Sequence, residues 1–159
     1  MSTRSNIAYV DEGAVHLIHC HMDGYLDQTG RVLFDHYNSF EKAKELVDLG
    51  AISFLETTVA LNRERSRCLH NRKPEFYRSI RSYMYHVDAQ EIEYIYMWDK
   101  NMWWIARSIS INTWRAWHHE QNEQGYHQFV CYHNQFESLG SELAHWDYDN
   151  PTDEQGAYV

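Results

Sequence analysis

Proline is nearly absent, with two in 159 residues, and the seven glycines are scattered. A chain so short of both, with no repeated tract, is neither fibrous nor a loose linker. Cysteine is equally scarce. Cys20, Cys68 and Cys131 are odd in number, far apart and without a CxxC pair, which argues against a disulfide framework or a zinc ribbon and fits a reducing compartment. No apolar run approaches the roughly 20 residues of a membrane helix, and Met1 to Ser5 lacks the apolar stretch of a signal peptide. The expectation is a soluble protein of the cytoplasm, with no membrane contact. P-loop, dinucleotide fingerprint and nucleophile elbow are all missing, so no enzyme class has its signature here and no cofactor is implied.

What is present is apolar and aromatic. With 43% hydrophobic and 15% aromatic residues, the chain can build one sizeable core but not two. A single domain is expected over 1–145, followed by an acidic tail over 146–159 that holds Asp147, Asp149, Asp153 and Glu154. The net charge of -9 opposes general nucleic-acid binding. Charge is also segregated: Arg63, Arg65, Arg67, Arg72, Lys73, Arg78 and Arg81 face only Glu64 and Glu75 within the same stretch. Interleaved with Phe76, Tyr77, Tyr83 and Tyr85, those cations suit a small nucleotide-like anion better than a polymer.

Periodicity then places the elements. Asn6 to Val10 and Ala14 to Met22 read as strands joined by a turn at Asp11-Glu12-Gly13, and the second strand is apolar on both sides, as an internal strand is. Arg31 to Tyr37 has helical spacing, and Ser39 caps a second helix whose apolar stripe of Phe40, Ala43, Leu46 and Val47 stops at Gly50. Thr57, Thr58, Val59 and Leu61 make Ala51 to Leu61 β-prone. Glu91 to Ile105 alternates and turns at Asp99-Lys100-Asn101, the clearest hairpin in the chain. Asn112 to Gln121 reads as a short helix and Tyr126 to His133 as a last strand. The fold class is α+β, a mixed and mainly antiparallel sheet built from hairpins with two or three helices on one face.

The opening Met1-Ser2-Thr3-Arg4-Ser5-Asn6-Ile7-Ala8, the stretch Cys20-His21-Met22-Asp23-Gly24-Tyr25, and then Gly30, Leu33, His36-Tyr37 and Leu49-Gly50 carry a resemblance. They resemble a family of small uncharacterised proteins of bacteriophages and mobile bacterial elements, whose members begin MSTRS and continue with CHWDGY-like and GxxLxxHY motifs. Thr58-Val59-Ala60 with Arg63-Glu64-Arg65, and Glu93 to Tyr96 with Trp103 or Trp104, are similar to later family segments. The likeness is dense over the first 65 residues and thin after residue 110, and it departs at Met22, where the family has tryptophan, and at Leu26, where it commonly has proline. It implies origin, a phage accessory gene acting in a bacterial host cell, and no reaction.

Three constellations are candidates for function. His19, His21 and Asp23 have an HxHxD spacing that places two imidazoles on one strand face with a carboxylate just beyond, a metal-binding corner; the competing reading is structural histidines. Arg4, His21, Asp23, Tyr25, His36, Arg63 and Arg65 are candidate ligand residues for a nucleotide-like anion, bound or hydrolysed, with Arg4 pairing either with Asp23 or with a phosphate. Against this, Asp23-Gly24 reads as an ordinary turn closed by the carboxylate. Finally, Trp98, Trp103 and Trp104 are candidate partner contacts, since indole-rich faces favour interfaces, against the alternative of a bulky core. The partner expected is a host or anti-phage defence protein that the chain inhibits through an acidic, aromatic surface, and a second copy of the chain is compatible with the same features.

Overall fold

A computed structural model describes residues 3–66, 72–87, 91–107, 136–153 and 155–157. The helix expected over 112–121 and the strand expected over 126–133 lie outside them. Two hairpins organise the rest. In the first, β1 (Ser5–Asp11) pairs antiparallel with β2 (Ala14–Cys20), Asp11 opposite Ala14 across a two-residue turn in which Glu12 and Gly13 both have positive φ. That turn type has the twist of the strands it joins, so it fixes the register. β4 (Tyr94–Asp99) and β5 (Met102–Arg107) repeat the device, with Lys100 and Asn101 at positive φ between Asp99 and Met102.

The hairpins join in parallel through β1 and β4, and short edge strands β3 (Glu75–Tyr77) and β6 (Glu137–Ser138) complete a sheet of order β3-β2-β1-β4-β5-β6. This is the expected mixed, mainly antiparallel α+β sheet. β2 is internal as read, but its ladder ends at Cys20. From there the backbone N–H groups of His21 and Met22 donate to the carbonyls of Ile52 and Ser53, at 3.1 and 2.7 Å.

Both faces of the sheet are buried. Ile7, Tyr9, Ile18, Tyr96, Trp98, Trp103 and Ile105 meet α1 (Arg31–His36), α2 (Phe40–Asp48) and α5 (Leu139–Asp149). Ala8, Val15, Leu17, Ile95, Met97 and Ala106 meet α4 (Ile80–His86) on the other side. Ser39 caps α2 by accepting the Lys42 N–H at 3.2 Å, and Gly50, at φ +87, ends it where a side chain would collide with the Arg72 carbonyl.

Two expectations change. The β-prone 57–61 stretch forms no strand: Thr58 turns its hydroxyl to the Leu61 N–H at 3.1 Å and caps the single-turn α3 (Val59–Leu61), a local bond that competes with strand pairing. The acidic tail drawn from residue 146 begins inside α5. Leu139, Leu143 and Trp146, at i, i+4 and i+7, lay one side of that helix on the core while Asp147 and Asp149 remain exposed.

Candidate functional site

The CHxDGY-like segment leaves β2 and folds into a clasp. Cys20 is fully buried, and burial pushes its thiol up to about 12, so it is no nucleophile at neutral pH. Asp23 takes a left-handed backbone, φ 58, and its carbonyl accepts from both the N–H and the hydroxyl of Thr29, at 3.2 and 2.8 Å. The turn is therefore closed by the Asp23 carbonyl and not by its carboxylate. The Gly24 N–H donates to the Thr3 carbonyl at 2.9 Å, and its own carbonyl accepts the buried Tyr96 hydroxyl at 2.7 Å. A Cβ on Gly24 would lie 2.9 Å from both Ser5 Cβ and the Thr3 carbonyl oxygen, so the backbone approaches too closely for any other residue. The chain from Thr3 onward is thereby tied down, and Thr3 and Ser5 are buried.

This geometry separates the residues expected to share a ligand. Asp23 and Tyr25 belong to the clasp, and the Tyr25 carbonyl accepts from Gln28 and Gly30 while its ring is exposed. His36 is exposed at the end of α1. Arg63 and Arg65 are exposed on the wide turn Asn62–Ser66, next to a buried amide that serves structure: Asn62 Oδ1 accepts from the Glu56 N–H and the Ser66 hydroxyl, and its Nδ2 donates to the Tyr37 hydroxyl and the Thr58 carbonyl. Arg4 pairs with Glu91 at 2.6 Å and not with Asp23. No hydrogen bond or ion pair joins any two of the expected set.

The metal corner does not form. Among the described residues no three His, Cys, Asp or Glu side chains converge as a ligand set, because the left-handed turn at Asp23 takes that residue out of the strand that carries His19 and His21. His19 Nε2 lies 3.4 Å from Glu75 Oε2. His21, half-buried, has its imidazole held below the usual range by burial first, then by the charges of His19, Arg4 and Arg72.

Trp98 and Trp103 of the aromatic hairpin are core and not a partner surface. Trp98 and Trp103 face each other in register with their rings edge to face, 5.6 Å apart, and both are buried. The Trp103 indole N–H donates to the Tyr37 carbonyl at 3.0 Å. Trp104 is half-buried on the opposite face, its indole N–H donating to the Asp99 carbonyl at 2.9 Å. Strand alternation sends the first two rings beneath the helices, which excludes them as a docking face.

Sequence reasoning placed Arg72 and Glu75 only within the charged 63–81 stretch and did not single out Asn6 or Glu91. Asn6 was within reach: a two-residue turn at Glu12-Gly13 fixes the partner of every β1 residue and sets Asn6 opposite His19. The other three arrive from distant segments and leave no local signal. No protein-family model, curated protein or solved structure matches the chain.

Proposed function

We propose that this chain is a phage-encoded accessory protein that acts by binding, and that it inhibits a basic host or anti-phage defence protein through an acidic surface. The origin rests on the MSTRS and CHxDGY-like resemblance, and the surface on charge and exposure. With Trp98 and Trp103 buried, the aromatic contact moves to Tyr148, which is 87% exposed at the end of α5 between Asp147 and Asp149. That tyrosine among carboxylates is the observation that carries the reading. A rigid phenol amid negative charge suits a cationic partner, since such rings anchor interfaces while the charges steer encounter. Arg31 holds the base of this surface, bonding Asp147 at 2.6 Å and Asp27 at 3.0 Å.

Immobilised protein is expected to retain one host protein stoichiometrically from lysate, with release as salt screens the contact. Tyr148→Ala and Asp149→Lys are expected to lose that protein, and Arg63→Glu to keep it. No stoichiometric capture by the natural chain would overturn the reading. Capture indifferent to Tyr148 and Asp149 would overturn the assignment of the surface.

A further inference from the structure

The two edges of the sheet are flanked by opposite charge. β3 forms one edge and β6 the other, five strand spacings away, or about 24 Å. At the β3 edge Arg72, Lys73 and Arg78 are exposed, and none of them makes an ion pair among the described residues. The backbone fixes the place of this group, since the Arg72 carbonyl accepts the Ala51 N–H at 2.9 Å and the chain then runs through Lys73 into β3. Glu75 is the one carboxylate between Arg72 and Arg78, and it faces His19 at 3.4 Å. On the other side α5 follows directly on β6 and packs on β5, whereas α2 covers β1 and β2. The end of α5 holds Asp147 and Asp149 and no basic residue, just where the helix dipole adds further negative potential. Arg31 bonds Asp147, while Asp149 has no ion pair among the described residues. No hydrogen bond or ion pair joins the acidic group to the basic one within the chain.

Each charged group also has an exposed ring. Across the first three strands Tyr9 stands opposite His16, and His16 opposite Phe76. The Tyr9 and His16 rings stack at 4.7 Å, and the Phe76 ring meets His16 edge-on at 5.2 Å. Tyr9 is buried against Phe40 of α2, so the row runs outward from the core and ends at Phe76, which is 59% exposed. Phe76 thus stands in solvent on a fixed support, as Tyr148 does at the end of α5. Pro74 precedes β3, and the strand has only three residues. Both features blunt a sheet edge against pairing with another strand, so a partner here is met by side chains.

We propose that a second copy of this chain docks on the β3 edge with the end of its α5, setting Tyr148 against Phe76 and Asp149 among Arg72, Lys73 and Arg78. Aromatic anchors ringed by opposite charges are what a specific contact needs. Because the two surfaces differ, the contact is head-to-tail and leaves a free surface on each added copy. The net charge of -9 opposes it, since whole copies repel at long range. In about 0.1 M salt that repulsion is screened beyond about 10 Å while charges in contact still attract, and near 1 M, where the screening length is about 3 Å, the attraction is lost as well. One helix end on a three-residue edge makes a small interface, which suits a weak and reversible contact. The contact uses the same acidic surface as the host-protein reading and does not depend on that partner. Copies joined in this way keep Tyr148 and Asp149 covered until a basic target displaces them.

Sedimentation equilibrium of the pure chain tests the proposal without any host protein, so its failure is distinct from a failure of lysate capture. In about 0.1 M salt the average mass is expected to rise with protein concentration, up to millimolar and past two chains, and in about 1 M salt to return to one. The paired variants Tyr148→Ala with Asp149→Lys, and Phe76→Ala with Arg78→Glu, change exposed side chains only. Each is expected to keep the natural circular dichroism and to weaken association roughly tenfold or more. Arg78→Glu alone, which leaves both rings in place, is expected to weaken it in the same direction. Mixed in equal amounts, at a concentration where each alone is a single chain, the two paired variants are expected to form a two-chain species and nothing larger, because each retains the surface that the other has lost. A single-chain mass for the natural protein at every concentration overturns the proposal, as does a mass that stops at two chains. Association that either paired variant leaves unchanged, or a mixture that stays single-chain, overturns it equally.

Discussion

At His21 burial and three cationic neighbours act in the same direction, both disfavouring the imidazolium. In the unfolded chain this ring titrates near 6.5, and in the folded protein it does so lower. Between those values the unfolded chain binds more protons, so stability falls as pH drops through that window and is unaffected by this group above it. His21→Gln removes the effect. Across a series of melts from about pH 7 to about pH 5.5, the natural protein is expected to lose melting temperature faster than the variant. Parallel curves would show that His21 is not held neutral. Cys20 illustrates the same physics without a functional consequence, since burial alone dominates its shift and leaves an inert thiol.

At the level of elements, what the sequence made readable was whatever is decided locally. Two hairpins with two-residue turns, the Ser39 cap and the Gly50 stop were visible because turn and cap chemistry acts over a few residues. The 57–61 stretch misled because threonine is favoured in strands yet also caps helices, and only the buried acceptors around it decide between the two. The nearby polar groups converge on Asn62, whose four hydrogen bonds hold together the 56–66 segment and the Tyr37 hydroxyl. Asn62→Ala leaves the Glu56 N–H and its neighbours unsatisfied in a dry environment, and a loss of about 2–4 kcal/mol in unfolding free energy is expected from denaturant titration. A loss under about 0.5 kcal/mol would mean that water or a rearranged loop takes over the bonds. The candidate site was legible to a similar degree. Arg4 and His21 stand in the motif-bearing segments, whereas Arg72 and Glu91 depend on how distant loops return to the sheet.

For the molecule as a whole, the sheet is one layer shared by two cores. Leu46 of α2 belongs to the core that holds Trp98 and Trp103, and Met84 of α4 to the core on the opposite face, yet each core takes alternate residues of the same strands β1, β2, β4 and β5. Neither core can dissolve without removing the partner strands' support from the other, so the described residues should unfold together, as small domains with a common sheet do. Leu46→Ala and Met84→Ala are each expected to cost about 2–5 kcal/mol, the usual range for truncating a fully buried side chain. The informative measurement is their common effect on one transition. Met84→Ala, across the sheet from Trp98 and Trp103, is expected to shift the urea midpoint by the same amount whether unfolding is followed by tryptophan fluorescence or by far-ultraviolet circular dichroism. If Met84→Ala instead separates the two signals into distinct transitions, the faces are independent units and the charge-segregated surfaces on them could be exchanged or deleted singly. If the signals coincide, the described residues form one cooperative scaffold, and any ligand that binds only the folded form must raise the stability of the helix that carries Tyr148 by mass action alone.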